Sequence, residues 1–291
     1  MDHIFADILT PMPGLYVVGT ERNAGAHLLA TSLARALHAR GLEVGVMKPV
    51  ETGCPLEASS GAAVSYGGQE LTLDDETLGA LERLSKLAGP PPSTHSAGVP
   101  REHLACPRAS SLVSASGREA DLDLVNPFRF APELEPGVAA QLAGVTLEMA
   151  TIEQSFSALS RSSDLMVVEG CHGVLSPLDM HLTQRDLIKA LGLSVVLVAP
   201  SRVGTISQCL MTVDALDAEK VPVAGLVLNR TAADAIQPEE AANPLFIETL
   251  RGVEVRGVLP HFEDEQLEDV DYLAGRLEVH VDLEGLLDGV I

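Results

Sequence analysis

The chain has 291 residues, 46% of them hydrophobic but only 3% aromatic and none Trp, so its core must be built mostly from Val, Leu and Ala, as in α/β proteins with buried parallel strands. A net charge of −22, from 41 acidic against 19 basic residues, sets up a field that repels nucleic acid and anionic membranes and discounts both as partners. Four widely spaced cysteines with no CxxC pair, an acidic N-terminus without the basic and apolar regions of a signal peptide, and no apolar run of membrane-spanning length lead to the expectation of a cytoplasmic protein.

Residues 15–18 read as a first buried strand. A Gly-bounded loop follows, Gly19-Thr20-Glu21-Arg22-Asn23-Ala24-Gly25, and then a helix over 26–40 with Leu29, Leu33, Ala36 and Leu37 at helical spacing and Gly41 as its stop. Strand, tight turn and helix N-terminus is the layout of a phosphate-binding loop, in which backbone N–H groups and the helix dipole face an anion. Such a loop also carries a lysine for the outer phosphates and a hydroxyl for Mg²⁺. Ala26 and His27 stand at those two places. The next strand, 44–47, ends in Lys48-Pro49-Val50-Glu51-Thr52-Gly53, which places Lys48 at the strand edge where open α/β sheets bind ligands and where a cation can neutralise developing charge.

Residues 55–110 change character, with Ser59-Ser60-Gly61, Gly67-Gly68 and Gly89-Pro90-Pro91-Pro92 around one helix-like stretch from Asp74 to Leu87; they read as an insertion or irregular excursion. Residues 126–132 read as an irregular turn, and 135–143 and 147–161 as helices. The strand at 164–168 ends in Glu169-Gly170-Cys171-His172-Gly173, where Glu169 suits a Mg²⁺ ligand or a water-positioning carboxylate. A helix at 182–191, a strand at 194–199, a helix at 204–216, a strand at 223–230, a helix at 239–250 and a short strand at 255–260 follow, with an acidic tail and a capping segment at 283–287. Strands alternating with helices predict a doubly wound, mostly parallel sheet in one domain spanning 1–291.

The order of these motifs resembles the dethiobiotin synthetase family, P-loop NTPases of the deviant-Walker class. The family loop Gly-Thr-Asp-Thr-x-Val-Gly-Lys-Thr is matched in register by Gly19 to His27, and its Lys-Pro-Val-x-(Ser/Thr)-Gly by Lys48 to Gly53. Its Asn-Pro-(Tyr/Phe) is similar to Asn126-Pro127-Phe128, and its Val-Glu-Gly-Ala-Gly-Gly to Val168 through Gly173. Gly204-Thr205-Ile206-Ser207-Gln208 and Gly225-Leu226-Val227-Leu228-Asn229 match two further family elements.

The resemblance implies a P-loop NTPase-like fold and an ATP- and Mg²⁺-dependent ligase of biotin biosynthesis, which inserts CO₂ between the two amines of 7,8-diaminopelargonic acid. It implies that Lys48 stabilises carbamate and phosphate charge and that Thr52 contacts the diamine. It implies that Asn23, Ala24, Gly25, Ala26, His27 and Leu28 wrap the phosphates and that Glu169 holds Mg²⁺, with Gly170, Cys171 and His172 beside the nucleotide. It implies that Asn229 and Arg230, with Pro260, His261 and Phe262, face the adenine, and that the chain forms a homodimer.

Several departures accompany the match. The loop lysine is Ala26 and the Mg²⁺-binding Thr is His27. The family's second metal-binding Asp falls near Ala109-Ser110-Ser111-Leu112, which has no carboxylate; a family Gly is His172 and a substrate-turn His is Gly137. Two other readings therefore stay open. One is a catalytically impaired homologue that binds a nucleotide or anion or serves regulation, with Arg22 a possible replacement for the lost lysine in the active alternative. The other is a transition-metal site drawn from His27, His172, Cys171 and Cys54 at one sheet edge.

Overall fold

The computed structural model describes residues 12–55 and 104–290. In that range the chain runs β1 (Gly14–Gly19), α1 (Ala26–Ala39), β2 (Val44–Met47), β3 (Val50–Thr52), α2 (Pro107–Ala115), α3 (Leu122–Val125), β4 (Phe128–Phe130), α4 (Pro136–Leu142), α5 (Met149–Ser160), β5 (Leu165–Gly173), α6 (Gln184–Leu191), β6 (Ser194–Pro200), α7 (Thr205–Asp217), β7 (Val223–Asn229), α8 (Pro238–Arg251), β8 (Val255–Leu259), α9 (Asp264–Leu267), α10 (Val270–His280) and α11 (Leu283–Leu287).

Six strands form one parallel sheet in the order β2-β5-β1-β6-β7-β8. Strand β1 lies inside it, and Leu15, Tyr16, Val17 and Val18 are all fully buried. Successive side chains of a strand point to opposite faces, so Tyr16 and Val18 enter one core and Leu15 and Val17 the other. The first core is closed by Ile152 and Phe156 of α5, Leu187 and Ile188 of α6, and Val213 of α7. The second is closed by Leu29, Leu33 and Leu37 of α1 and Leu273 and Leu277 of α10. This is the doubly wound architecture the sequence predicts, with helices on both faces and no need for aromatic bulk. Because every strand runs the same way, Gly19, Met47, Gly173, Pro200, Asn229 and Leu259 all end at one edge, which gathers the loops that follow them.

The structure corrects the sequence reading at three places. Residues 126–132, read as an irregular turn, contain β4, which pairs in parallel with β3 (Val50↔Phe128, Thr52↔Phe130) as a separate two-stranded sheet. Strands of three residues are too short for periodicity to reveal. Residues 107–110, read as the end of the irregular excursion over 55–110, already form the first turn of α2; residues 56–103, with the helix expected at Asp74–Leu87, lie outside the described residues. The acidic tail holds α10, whose Leu273, Ala274 and Leu277 bury against α1 while Arg35 reaches Asp271 at 2.5 Å and Arg40 reaches Glu278 at 3.0 Å. Among the described residues no helix is long and apolar enough to cross a membrane.

Candidate functional site

Lys48 leaves the end of β2 and is 1% exposed; Glu169, on the neighbouring strand β5, is also 1% exposed. Their charges meet, with Lys48 Nζ donating to Glu169 Oε1 at 2.6 Å. Burial alone would push the Glu169 carboxyl up, but Lys48 and His27 outweigh it and hold the carboxyl at about 2. Burial would likewise lower Lys48, and the Glu169 charge overrides it, so the ammonium is held above its ordinary range. Both shifts have the sign of a buried pair that stays ionised. The backbone around Lys48 is fixed as well. Its N–H donates to Val125 O at 2.8 Å, and fully buried Asn126 donates to Lys48 O at 2.7 Å, so the Asn126-Pro127-Phe128 motif works as a brace for the lysine turn.

The loop from β1 to α1 turns through Asn23 at φ 60° and Gly25 at φ 109°. Gly25 is required twice over: its φ lies in the left-handed region, and a Cβ there would collide with the Asn229 amide. That amide donates to Ala24 O at 3.0 Å and ties the loop to the end of β7. The N-cap Gly25 makes no side-chain cap and the first turn of α1 holds no acidic residue, so no side chain of the cap or first turn competes for the helix N-terminus. Ala26 contributes only a partly buried methyl group against the core. Arg22 is ion-paired with exposed Glu133 and lines the cleft described below.

His27 turns inward. Its Nδ1 lies 2.7 Å from Glu169 Oε2 and its Nε2 lies 3.0 Å from Ser111 Oγ on α2. Since Glu169 is ionised and can only accept, Nδ1 carries a proton. Lys48, Glu169, His27 and Ser111 thus form one continuous chain of hydrogen bonds across three elements and the β2 turn. Helix α2 is brought there by Glu51, 2% exposed, whose two oxygens accept the N–H groups of Arg108 and Ala109, each at 3.2 Å. Neither Ser111 nor Glu51 is predicted as a site residue from the sequence. The Ser110-Ser111 pair without a carboxylate was the available signal for the first, and nothing local marks the second.

On the other side of Glu169, Gly170 packs so tightly that a Cβ would lie 2.8 Å from the Tyr16 ring. Cys171 is clamped by Gln184, which accepts its N–H at 2.6 Å and donates to its carbonyl at 2.8 Å. Burial pushes the Cys171 thiol up, but His172 and Lys48 outweigh it and leave it below its usual range. The thiol lies 3.9 Å from Thr52 Oγ1. His172 adopts φ 63°, and the neighbouring Cys171, opposed by burial and aided by Glu135, raises its imidazole. Its Nδ1 sits 3.0 Å from Glu135 Oε1, without the alignment of a hydrogen bond. His172 and Glu135 line a cleft of about 680 Å³ with Glu21, Arg22, Leu175, Gln208 and Met211.

The residues expected near an adenine are spread along the same edge. Arg230 donates to Glu240 at 2.9 Å and to Asp234 O at 2.5 Å. His261 lies 3.8 Å from Glu263, and Phe262 is 6% exposed and meets Tyr272 edge-on at 6.3 Å. Leu28 packs against the α1-side core. All four cysteines are free, and among the described residues no three His, Cys, Asp or Glu side chains are grouped to hold a metal ion.

The residues present do not fit Mg²⁺. That ion takes oxygen ligands in near-octahedral geometry and is reluctant to dehydrate. Here both oxygens of the one carboxylate are taken, by Lys48 and His27, and the remaining neighbour is a neutral hydroxyl on the far side of an imidazole.

A family described as AAA domain matches residues 110–268. The chain is 30% identical over 263 residues to an ATP-dependent dethiobiotin synthetase of Nitrosospira multiformis, covering 89% of this chain and 93% of the relative. It is 31% identical over 249 residues to the protein of that name in Anaeromyxobacter dehalogenans, covering 86% and 90%. A third relative of that name, in Bacillus subtilis, is 26% identical over 279 residues, covering 96% and 99%.

Proposed function

Since the chain belongs to the dethiobiotin synthetase family of P-loop NTPases, we propose that it is a dethiobiotin synthetase-type ligase of biotin biosynthesis whose substrate half is intact and whose phosphate half is weakened. The observation that carries this is Lys48: a cation 1% exposed at the sheet edge, pinned by Glu169 and braced by Asn126. A fixed, desolvated ammonium is suited to a carbamate and to the charge that develops when that carbamate is activated. Thr52, joined to Cys171 at 3.9 Å, presents its hydroxyl to the diamine. The cleft lined by His172 carries Glu21 and Glu135 with Leu175 and Met211, a combination that suits amines on an alkyl chain. The N–H groups at the start of α1 receive phosphate oxygens, and Asn229 keeps the loop in place for them. Domain unity over 1–291 and a homodimer belong to the same proposal.

The missing loop lysine removes a transition-state contact of about 3 kcal/mol, so turnover from ATP is slowed on the order of a hundredfold relative to a loop that carries it. A second reading, a binding or regulatory protein without turnover, is favoured by Ala26 and by the engagement of both Glu169 oxygens. Calorimetry with 7,8-diaminopelargonic acid and bicarbonate, followed by an assay of phosphate release from ATP, separates them. The ligase reading expects diamine binding and slow, diamine-dependent phosphate release; diamine binding with no phosphate release sustains the second, and no diamine binding rejects the substrate assignment.

A further inference from the structure

We propose that His27 is a built-in substitute for the divalent cation: its imidazole closes the metal position and makes the site take its anionic ligand without Mg²⁺. Position 27 is where a phosphate loop places the hydroxyl that binds Mg²⁺. In this chain that position holds a ring that is bonded on both sides, to Glu169 Oε2 at 2.7 Å and to Ser111 Oγ at 3.0 Å. One Mg²⁺ bonds its oxygens at about 2.1 Å, so two of its ligands lie no more than about 4.2 Å apart. The two hydrogen bonds leave opposite sides of the ring, and together they already exceed that span before the ring itself is counted. Glu169 and Ser111 are therefore held too far apart to share an ion while His27 stays between them.

The lock is robust because it does not depend on the ring's charge. With one proton, Nδ1–H serves Glu169 and Nε2 accepts from Ser111; with two, Nε2 donates to the same hydroxyl, which then turns to Arg108 O at 2.9 Å. Lys48 holds the other oxygen of Glu169 at 2.6 Å, which fixes the carboxylate with Oε2 turned toward the ring. Lys48 and the N-terminus of a 14-residue helix are positive groups that stand on this side to face an anion. The inference concerns the metal alone and stands whether or not the diamine assignment does.

The test is electron paramagnetic resonance titration of the full chain with Mn²⁺, in the absence and presence of ADP. The expected result is no stoichiometric Mn²⁺ site in either condition. The double substitution His27→Thr with Ser111→Asp, which restores oxygen ligands beside Glu169, is expected to gain one site per chain and to tighten Mn²⁺ by at least about tenfold. His27→Ser alone, a smaller change, is expected to show a weaker gain, and circular dichroism melting confirms that each variant is folded. One tight Mn²⁺ per wild-type chain overturns the proposal, and so does a folded pair of variants that gain nothing, because His27 is then not what keeps the metal out. A failed diamine titration with a silent wild-type Mn²⁺ spectrum rejects the ligase reading and leaves this inference standing.

Discussion

Lys48 and Arg22 are two cations at the same sheet edge, and both are ion-paired, but in opposite surroundings. The side chains of Lys48 and Glu169 are 1% and 2% exposed, whereas those of Arg22 and Glu133 are 41% and 60% exposed. A buried pair is expensive to form, and its loss strands a charge in a poor solvent, so it fixes geometry. An exposed pair competes with water and fixes little. The lysine side of the edge is thus rigid and pre-organised, with its backbone held by Val125 and Asn126. The loop side is held by Gly25, by the Asn229 tie and by half-exposed Arg202 and Gln208 on Glu21, with Ala26 contributing no charge.

Removing the centre of the rigid side has the largest effect. Glu169→Ala leaves Lys48 buried without its partner and lowers stability by about 3–5 kcal/mol in urea denaturation. The same group sets an acid limit. The Glu169 carboxyl is lowered from 4.5 to about 2 in the folded chain, so its contribution is fully present above the unfolded value and is lost as pH falls toward the folded one. Denaturation midpoints of the wild type should fall from about pH 5 to about pH 3, and Glu169→Gln should flatten that part of the slope. Next comes the loop: Gly25→Ala forces a Cβ into the Asn229 amide at a φ of 109°, at a cost of about 2 kcal/mol in the same assay. Glu51→Gln weakens the two N–H contacts that dock α2 and costs about 1–2 kcal/mol, which also loosens Ser111 from His27. Arg22→Ala changes stability by no more than about 0.5 kcal/mol; a larger loss removes the contrast between the two sides.

The sheet, its alternation of strands with helices, the phosphate-type loop, Lys48 and Glu169 were legible in the sequence because each is written locally, as an apolar run, a glycine spacing or a charge at a strand end. The contacts that complete the site are not local. Ser111 reaches His27 across 84 residues and Glu51 reaches Ala109 across 58, and no spacing rule encodes either. Helix α10 was hidden because it follows directly on the acidic run Glu263 to Asp269 and shows only a short buried stripe, Leu273, Ala274 and Leu277, toward α1. The sequence marked Ala26 and His27 as departures, but only the fold places the imidazole between Glu169 and Ser111.

The asymmetry between the two sides is tested most directly by calorimetric titration of one protein preparation with 7,8-diaminopelargonic acid, without and with bicarbonate, and with ATP in EDTA and again in Mg²⁺. The account predicts saturable diamine binding whose strengthening by bicarbonate Lys48→Met removes, and ATP binding whose affinity is the same with and without the metal. ATP binding tightened about tenfold or more by Mg²⁺, or a bicarbonate effect on diamine binding indifferent to Lys48, would contradict it.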